Sequence, residues 1–160
     1  MTTTVSPNGS KASAALAEAG VEEDFAFYRS FTSEVEKAVL TVPQLIKAAW
    51  AANDGDFFAS IFVENGSLLM QDEQLTSRED IRAFMTAGYA GIYRGASVDG
   101  WPLSVKFLAD DVALVVTQGG IILDGETEIA PQREIRAVWI ITLVDGHWKL
   151  VSHQSSPIAG

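Results

Sequence analysis

Apolar positions recur at helical spacing over Glu34 to Asn53, where Val35, Val39, Val42, Leu45, Ile46, Ala49 and Trp50 fall on one stripe. Pro43 interrupts the stripe and predicts two helices, with Thr41 capping the second and Pro43 in its first turn, where a missing N–H is harmless. Asn53-Asp54-Gly55 ends that helix with Gly55 as the residue just past its C-terminus, and Asp56 caps a short helix over Phe57 to Phe62. A further helix opens at Ser77-Arg78-Glu79-Asp80, with Ser77 as N-cap and two acids in the first turn to suit the dipole. Ile81, Phe84, Met85, Gly88, Tyr89, Ile92 and Tyr93 form its buried face.

Between these helices, Gly66 to Met70 reads as a strand, Asp72-Glu73 as a turn and Gln74 to Thr76 as a short return strand. After Gly95 everything is strand-like: Ser97 to Asp110, Val112 to Leu123, Gln132 to Val144 and His147 to Ser155. Asp145-Gly146 is a strong hairpin signal, and a longer loop covers Asp124 to Pro131. Helices first and long adjacent strands afterwards, with no βαβ alternation, predict an α+β domain. Its curved antiparallel sheet carries the N-terminal helices over the concave face. The last strand packs Trp148 and Leu150, then turns polar at Ser152, His153 and Gln154, the pattern of a strand that ends at a pocket mouth.

The ends divide the chain further. Residues 1–22 are rich in Thr, Ser, Ala and Gly without an aromatic residue, and read as a disordered leader with at most a fraying helical turn near Ala14 to Ala19. Residues 23–33 crowd Phe25, Phe27, Tyr28 and Phe31 into an acidic segment. That segment is either a flap docked on the body or on a partner subunit, or an extra helix capping the core. Residues 34–157 form a single domain.

Composition narrows the function classes. The chain has 160 residues, 48% hydrophobic and 20% charged, which suits one folded domain. A formal net charge of -10 repels phosphate backbones and anionic lipid, so nucleic acid and membrane surfaces are not expected partners. The absence of cysteine excludes disulfides, thiolate nucleophiles and Cys-ligated metals. No apolar run is long enough for a membrane span and Met1 to Gly20 has no basic start, so a cytoplasmic protein is expected. There is no phosphate loop, GxSxG or HExxH, and two histidines without a third ligand make a poor metal site, so no metal or cofactor is expected.

Pocket chemistry must come from polar residues on the concave face of the sheet. Counting by alternation from Trp148 and Leu150 places Ser152 and Gln154 on that face and turns His153 outward. A carboxamide at Gln154 can donate to and accept from a ligand but cannot exchange protons at neutral pH; equally, it can be satisfied by backbone or by a dimer contact. Arg136 interrupts an apolar strand and binds either a ligand or a structural acid such as Glu134. Gln118 precedes Gly119-Gly120, which marks either a close approach of backbone or ligand, or a bend. Asp72 and Glu134 are the candidate general bases, Asp72 lying in what is otherwise a polar hairpin tip. Tyr89, Tyr93, Trp101 and Trp50 line either an aromatic pocket or ordinary core.

Several stretches resemble a known family. Ala48-Ala49-Trp50-Ala51-Ala52-Asn53-Asp54-Gly55-Asp56-Phe57-Phe58-Ala59-Ser60-Ile61-Phe62, Arg78-Glu79-Asp80-Ile81-Arg82-Ala83-Phe84-Met85 and Asp145-Gly146-His147-Trp148-Lys149-Leu150 are similar to the nuclear transport factor 2-like, or SnoaL-like, superfamily. Thr117-Gln118-Gly119-Gly120, Ala130-Pro131-Gln132-Arg133-Glu134-Ile135-Arg136-Ala137 and His153-Gln154-Ser155-Ser156-Pro157 resemble its SgcJ/EcaC branch, found in enediyne antibiotic gene clusters. The resemblance implies a cone-shaped fold, a homodimer and a pocket between sheet and helices. It implies no single activity, because members include isomerases, cyclases, dehydratases and non-catalytic binders. The expectation is a small-molecule protein of enediyne or polyketide biosynthesis acting on a polyene by acid–base chemistry. The alternative is a binder that shields a reactive polyene, and whether the protein is an enzyme stays open.

Overall fold

Local capping decides where each helix starts. In the computed structural model, which describes residues 10–159, Ser33 opens α2 (Glu34–Val39) with a reciprocal capping box to Glu36. The chain then bends at Leu40, which caps α3 (Thr41–Ala52) with no side-chain bond. Pro43 sits in the first turn of α3 as expected, and Thr41 is the first helical residue rather than its cap, its hydroxyl donating back to the Ala38 carbonyl at 2.6 Å. Asn53, not Gly55, takes the left-handed position that ends α3. Asp54, not Asp56, caps α4 (Gly55–Ser60) by accepting from Phe57 N. Gly55 has a different job. A Cβ there would overlap Thr86 Oγ1 and come within 2.7 Å of the Thr86 nitrogen, so the glycine lets α4 lie against α5 (Arg78–Ala90).

Six strands follow the helical capping pattern: β1 (Phe62–Met70), β2 (Glu73–Leu75), β3 (Ser97–Ala109), β4 (Val112–Ile122), β5 (Ile135–Val144) and β6 (His147–Pro157). They form one sheet in the order β2-β1-β6-β5-β4-β3. The curved sheet with helices on one face matches the expected α+β architecture, and every pairing is antiparallel except β1 with β6, which is parallel. That pairing joins the first strand to the last. Asp145 and Gly146 both have positive φ, as the tight β5–β6 hairpin requires.

The core lies between the sheet and α3, α4 and α5. Trp50 meets Tyr89 and Tyr93 edge-on, each at 5.2 Å, and Phe58 stacks tilted on Phe62 at 5.6 Å. Val39, Leu40, Val42, Ile81, Met85, Ile141 and Leu150 are fully buried around them. Gly119 and Gly120 serve backbone packing: a Cβ on Gly119 would overlap the Asp99 carbonyl, and one on Gly120 would lie 2.6 Å from the Arg133 carbonyl. This resolves the two readings of that glycine pair in favour of a close backbone approach.

The N-terminal segment is more ordered than its composition suggests. Residues 1–9 of the expected leader lie outside the described residues. From Ser10 onward the chain forms α1 (Lys11–Glu18), capped by Ser10 and anchored by buried Ala12 and Leu16. The aromatic segment docks on the body through a 3₁₀ turn, Phe25–Tyr28, with Tyr28 buried and Phe25 exposed. Among the described residues no helix is long and apolar enough to cross a membrane.

Candidate functional site

A single extra residue in β6 decides which side chains face the interior. Ile141 pairs with Leu150, but Ile140 pairs with Ser152, so Val151 is bulged out of the β5–β6 ladder. The parallel pairing with β1 shifts over the same stretch. Beyond the bulge the alternation restarts with opposite sense. His153 pairs with inward-facing Trp139 and Leu68, and Ser155 with Ala137, while Ser152 and Gln154 turn to the outer face. The expected orientation is therefore reversed: His153 and Ser155 line the interior, and Gln154 and Ser152 do not. His147, before the bulge, stays exposed 3.2 Å from Glu18, so the two histidines lie on opposite faces of the strand.

Between the sheet and the helices lies a cavity of about 470 Å³. Trp50, Phe58, Phe62, Leu68, Trp139 and Leu150 form much of its apolar wall, with Thr117, His153 and Ser155 as the polar groups of the sheet side. The Trp139 indole donates to Thr117 Oγ1 at 2.8 Å, and the His153 ring meets Trp139 edge-on at 4.5 Å. Tyr93 and Gln71 add polar groups, and Lys47, paired with Asp99 at 3.1 Å, lies where the cavity reaches the surface.

His153 is the unusual group. Its Nδ1 is buried and has no hydrogen-bond partner among the described residues. It lines the cavity, and its burial pushes the imidazole down to about 4, with its own backbone working the other way. The ring is therefore neutral at pH 7. Burial likewise raises the Tyr93 hydroxyl above its usual range, partly offset by the Gln71 carboxamide. The arrangement can hold a largely apolar molecule and offer it a neutral imidazole, one hydroxyl from Thr117 and one from Tyr93.

The residues singled out from sequence are distributed otherwise. Arg136 is exposed on the outer face, its Nε 3.4 Å from Gln118 Oε1, so Gln118 borders the cavity with its side chain turned away. Gln154 Nε2 reaches Ser152 Oγ at 3.4 Å, and Ser152 meets Ser67 at 2.9 Å. These four candidates form a polar patch outside the cavity. Asp72 is exposed beside the β1–β2 turn, and Glu134 is half-buried without reaching the cavity wall. Trp101, Trp50 and Tyr93 do line the cavity, whereas Tyr89 packs behind Trp50 with its hydroxyl buried and unpartnered among the described residues. His153 and Thr117 were missed as candidates: the bulge at Val151 carries no glycine or other marker in the sequence.

Comparison with known proteins bears on fold and family. Residues 39–160 match the family model of the SnoaL-like domain. No curated protein matches the chain in sequence. Among solved structures it is similar to a domain of unknown function with a cystatin-like fold from Nostoc punctiforme (24% identity, 79% of this chain and 78% of that one, TM-score 0.71). It is also similar to an NTF2-like protein with a cystatin-like fold from Novosphingobium aromaticivorans (14% identity, 86% and 92% covered, TM-score 0.68). A third similar structure is a provisionally assigned dehydratase of the NTF2-like family from Streptomyces avermitilis (17% identity, 76% and 94% covered, TM-score 0.60). At these identities the structures establish the shared fold.

Proposed function

We propose that this chain, which belongs to the SnoaL-like domain family, takes a largely apolar polyene of enediyne or polyketide biosynthesis into its cavity and acts on it by cofactor-independent proton chemistry of the cyclase, isomerase or dehydratase kind. The family is one of small-molecule binders and isomerase-type proteins, which supports the ligand class. The SgcJ/EcaC-like stretches support the pathway, and the provisional dehydratase assignment of the Streptomyces avermitilis structure is compatible with the reaction type. The observation that carries the reading is His153: a neutral imidazole with an unpartnered buried nitrogen on an apolar cavity wall.

Such a group is a weak base while the cavity holds no negative charge, because the imidazolium has nothing to compensate it. A ligand that loses a proton and becomes an enolate supplies that compensation, so imidazolium and enolate stabilise one another only as the reaction proceeds. Thr117 and Tyr93 provide hydroxyls for the ligand's oxygen. A second reading, a binder that shields a reactive polyene, is favoured by one observation: no Asp or Glu hydrogen-bonds His153 among the described residues. Incubation with an enediyne-cluster polyene, followed by absorbance and mass, separates the two. A new chromophore or mass that disappears in His153→Phe supports the enzyme; a saturable spectral shift without product supports the binder.

The homodimer of this reading uses the outer face of the sheet. Val138 is 40% exposed there, beside Ile140 and the polar patch of Arg136, Gln118, Ser152 and Gln154. Sedimentation at micromolar concentration checks it: a dimer that Val138→Glu dissociates is expected, and a monomeric wild type contradicts it.

A further inference from the structure

The family match begins at residue 39, so α1, the 3₁₀ turn and all but the last residue of α2 precede the matched residues, and part of this segment walls the cavity. Asp24 caps the 3₁₀ turn by accepting from Ala26 N and Phe27 N at 3.1 and 3.3 Å. The turn is anchored from behind. Tyr28, 2% exposed, donates its hydroxyl to Glu23 at 2.6 Å, and Asp24 N donates at 2.8 Å to Oε1 of Gln44, a buried residue of α3. From this base Phe27 reaches the cavity wall.

Arg29 then reverses the chain. Its φ of 51° and ψ of -123°, with Phe31 N donating to the Tyr28 carbonyl at 2.9 Å, are those of the first central residue of a type II′ turn. Glycine is favoured at that position, and another residue persists there when its surroundings hold it. Here the Arg29 guanidinium lies 5.3 Å from the ring centroid of Trp101, itself a cavity-lining residue of the edge strand β3. An arginine thus occupies a glycine position and grips the cavity's rim.

We propose that residues 24–31 form a latched lid: Phe27 contacts the ligand and limits its length, Arg29 on Trp101 is the latch, and ligand passes when the latch releases. The proposal rests on the ligand-cavity reading given above. Phe27 is thereby a specificity-determining residue, and the turn is a wall that can move because local contacts, the Arg29–Trp101 and Lys37–Tyr28 cation–π pairs and the buried Tyr28 anchor, rather than a paired strand, hold it in place.

The test uses the full chain and the neutral apolar polyene 1,6-diphenyl-1,3,5-hexatriene, whose fluorescence rises on leaving water, followed by stopped flow. Arg29→Gly is expected to raise both association and dissociation rates about tenfold while Kd moves much less. Its melting temperature should not fall, because glycine suits the backbone at φ 51°. Phe27→Ala is expected to shift preference about fivefold from 1,4-diphenylbutadiene toward the longer hexatriene. Unchanged rates and unchanged length preference overturn the lid while leaving the cavity reading standing. A lowered melting temperature in Arg29→Gly without faster exchange marks a purely structural clamp and also overturns it. A wild-type chain that takes up neither probe overturns the lid and the ligand-cavity reading together.

Discussion

Replacing His153 by Phe is expected to leave the fold intact and to make the protein more stable, increasingly so as the solution is acidified. At neutral pH the gain is about 1 kcal/mol, since the substitution removes a buried nitrogen that has no partner among the described residues. The pH dependence follows from the imidazole, held at about 4 in the folded chain against about 6.5 when unfolded. Between those values the unfolded chain binds the proton and the folded chain does not, so wild-type stability falls as pH drops through this window. The loss from this one group reaches about 2 kcal/mol at pH 5 and about 3 kcal/mol near pH 4, and levels off about a pH unit lower. Many carboxylates titrate over the same range, so the measurement is the difference between urea unfolding curves of wild type and His153→Phe at pH 7, 6, 5 and 4. A difference that does not widen toward acid pH refutes the buried neutral imidazole. A variant that is more stable yet loses action on the polyene would show a stability penalty retained at a functional site.

Ala137→Phe is expected to abolish ligand uptake without unfolding the protein. Ala137 is 2% exposed and lies on β5 between Thr117 of β4 and Ser155 of β6, at the centre of the cavity's sheet wall. A benzyl group there projects into the space that the ligand occupies, and the space already exists, so the ring buries apolar area without pushing the wall apart. Hexatriene affinity should fall at least about a hundredfold, equivalent to about 3 kcal/mol. Urea unfolding should show stability unchanged or slightly raised. Retained affinity in a folded variant would place the ligand elsewhere.

The parts of the fold that depend on local chemistry were legible in the sequence. Ser77 caps α5 as expected, Pro43 lies in the first turn of α3 without breaking it, and Asp145-Gly146 makes the hairpin. Errors arose where a longer-range contact overrides a local rule. Gly55 reads as a helix terminator but is small because α5 passes against it, while Asn53 supplies the left-handed turn. Lys11–Glu18 is too short to be helical alone and is stable because Ala12 and Leu16 find a buried surface. The parallel β1–β6 pairing joins residues far apart in sequence and has no local signal.

The candidate site was legible as a region and inverted in detail. The polar end of the last strand does border the cavity, and Trp50, Tyr93 and Trp101 do line it. Strict alternation from Leu150 nevertheless selected Ser152 and Gln154, because a bulge at a valine leaves the apolar–polar pattern looking regular. One residue of slip exchanged a glutamine that cannot move protons for a histidine that can.

The measurement that tests this most directly is an NMR titration of the two histidine rings, His147 and His153, with and without the hexatriene probe. The His153 ring is expected to stay neutral from pH 8 down to about pH 5, to be half protonated only near 4, and to shift in resonance when the probe saturates the cavity, while exposed His147 does not respond to the probe. A His153 that titrates like a free imidazole near 6.5 and ignores the probe would contradict this expectation.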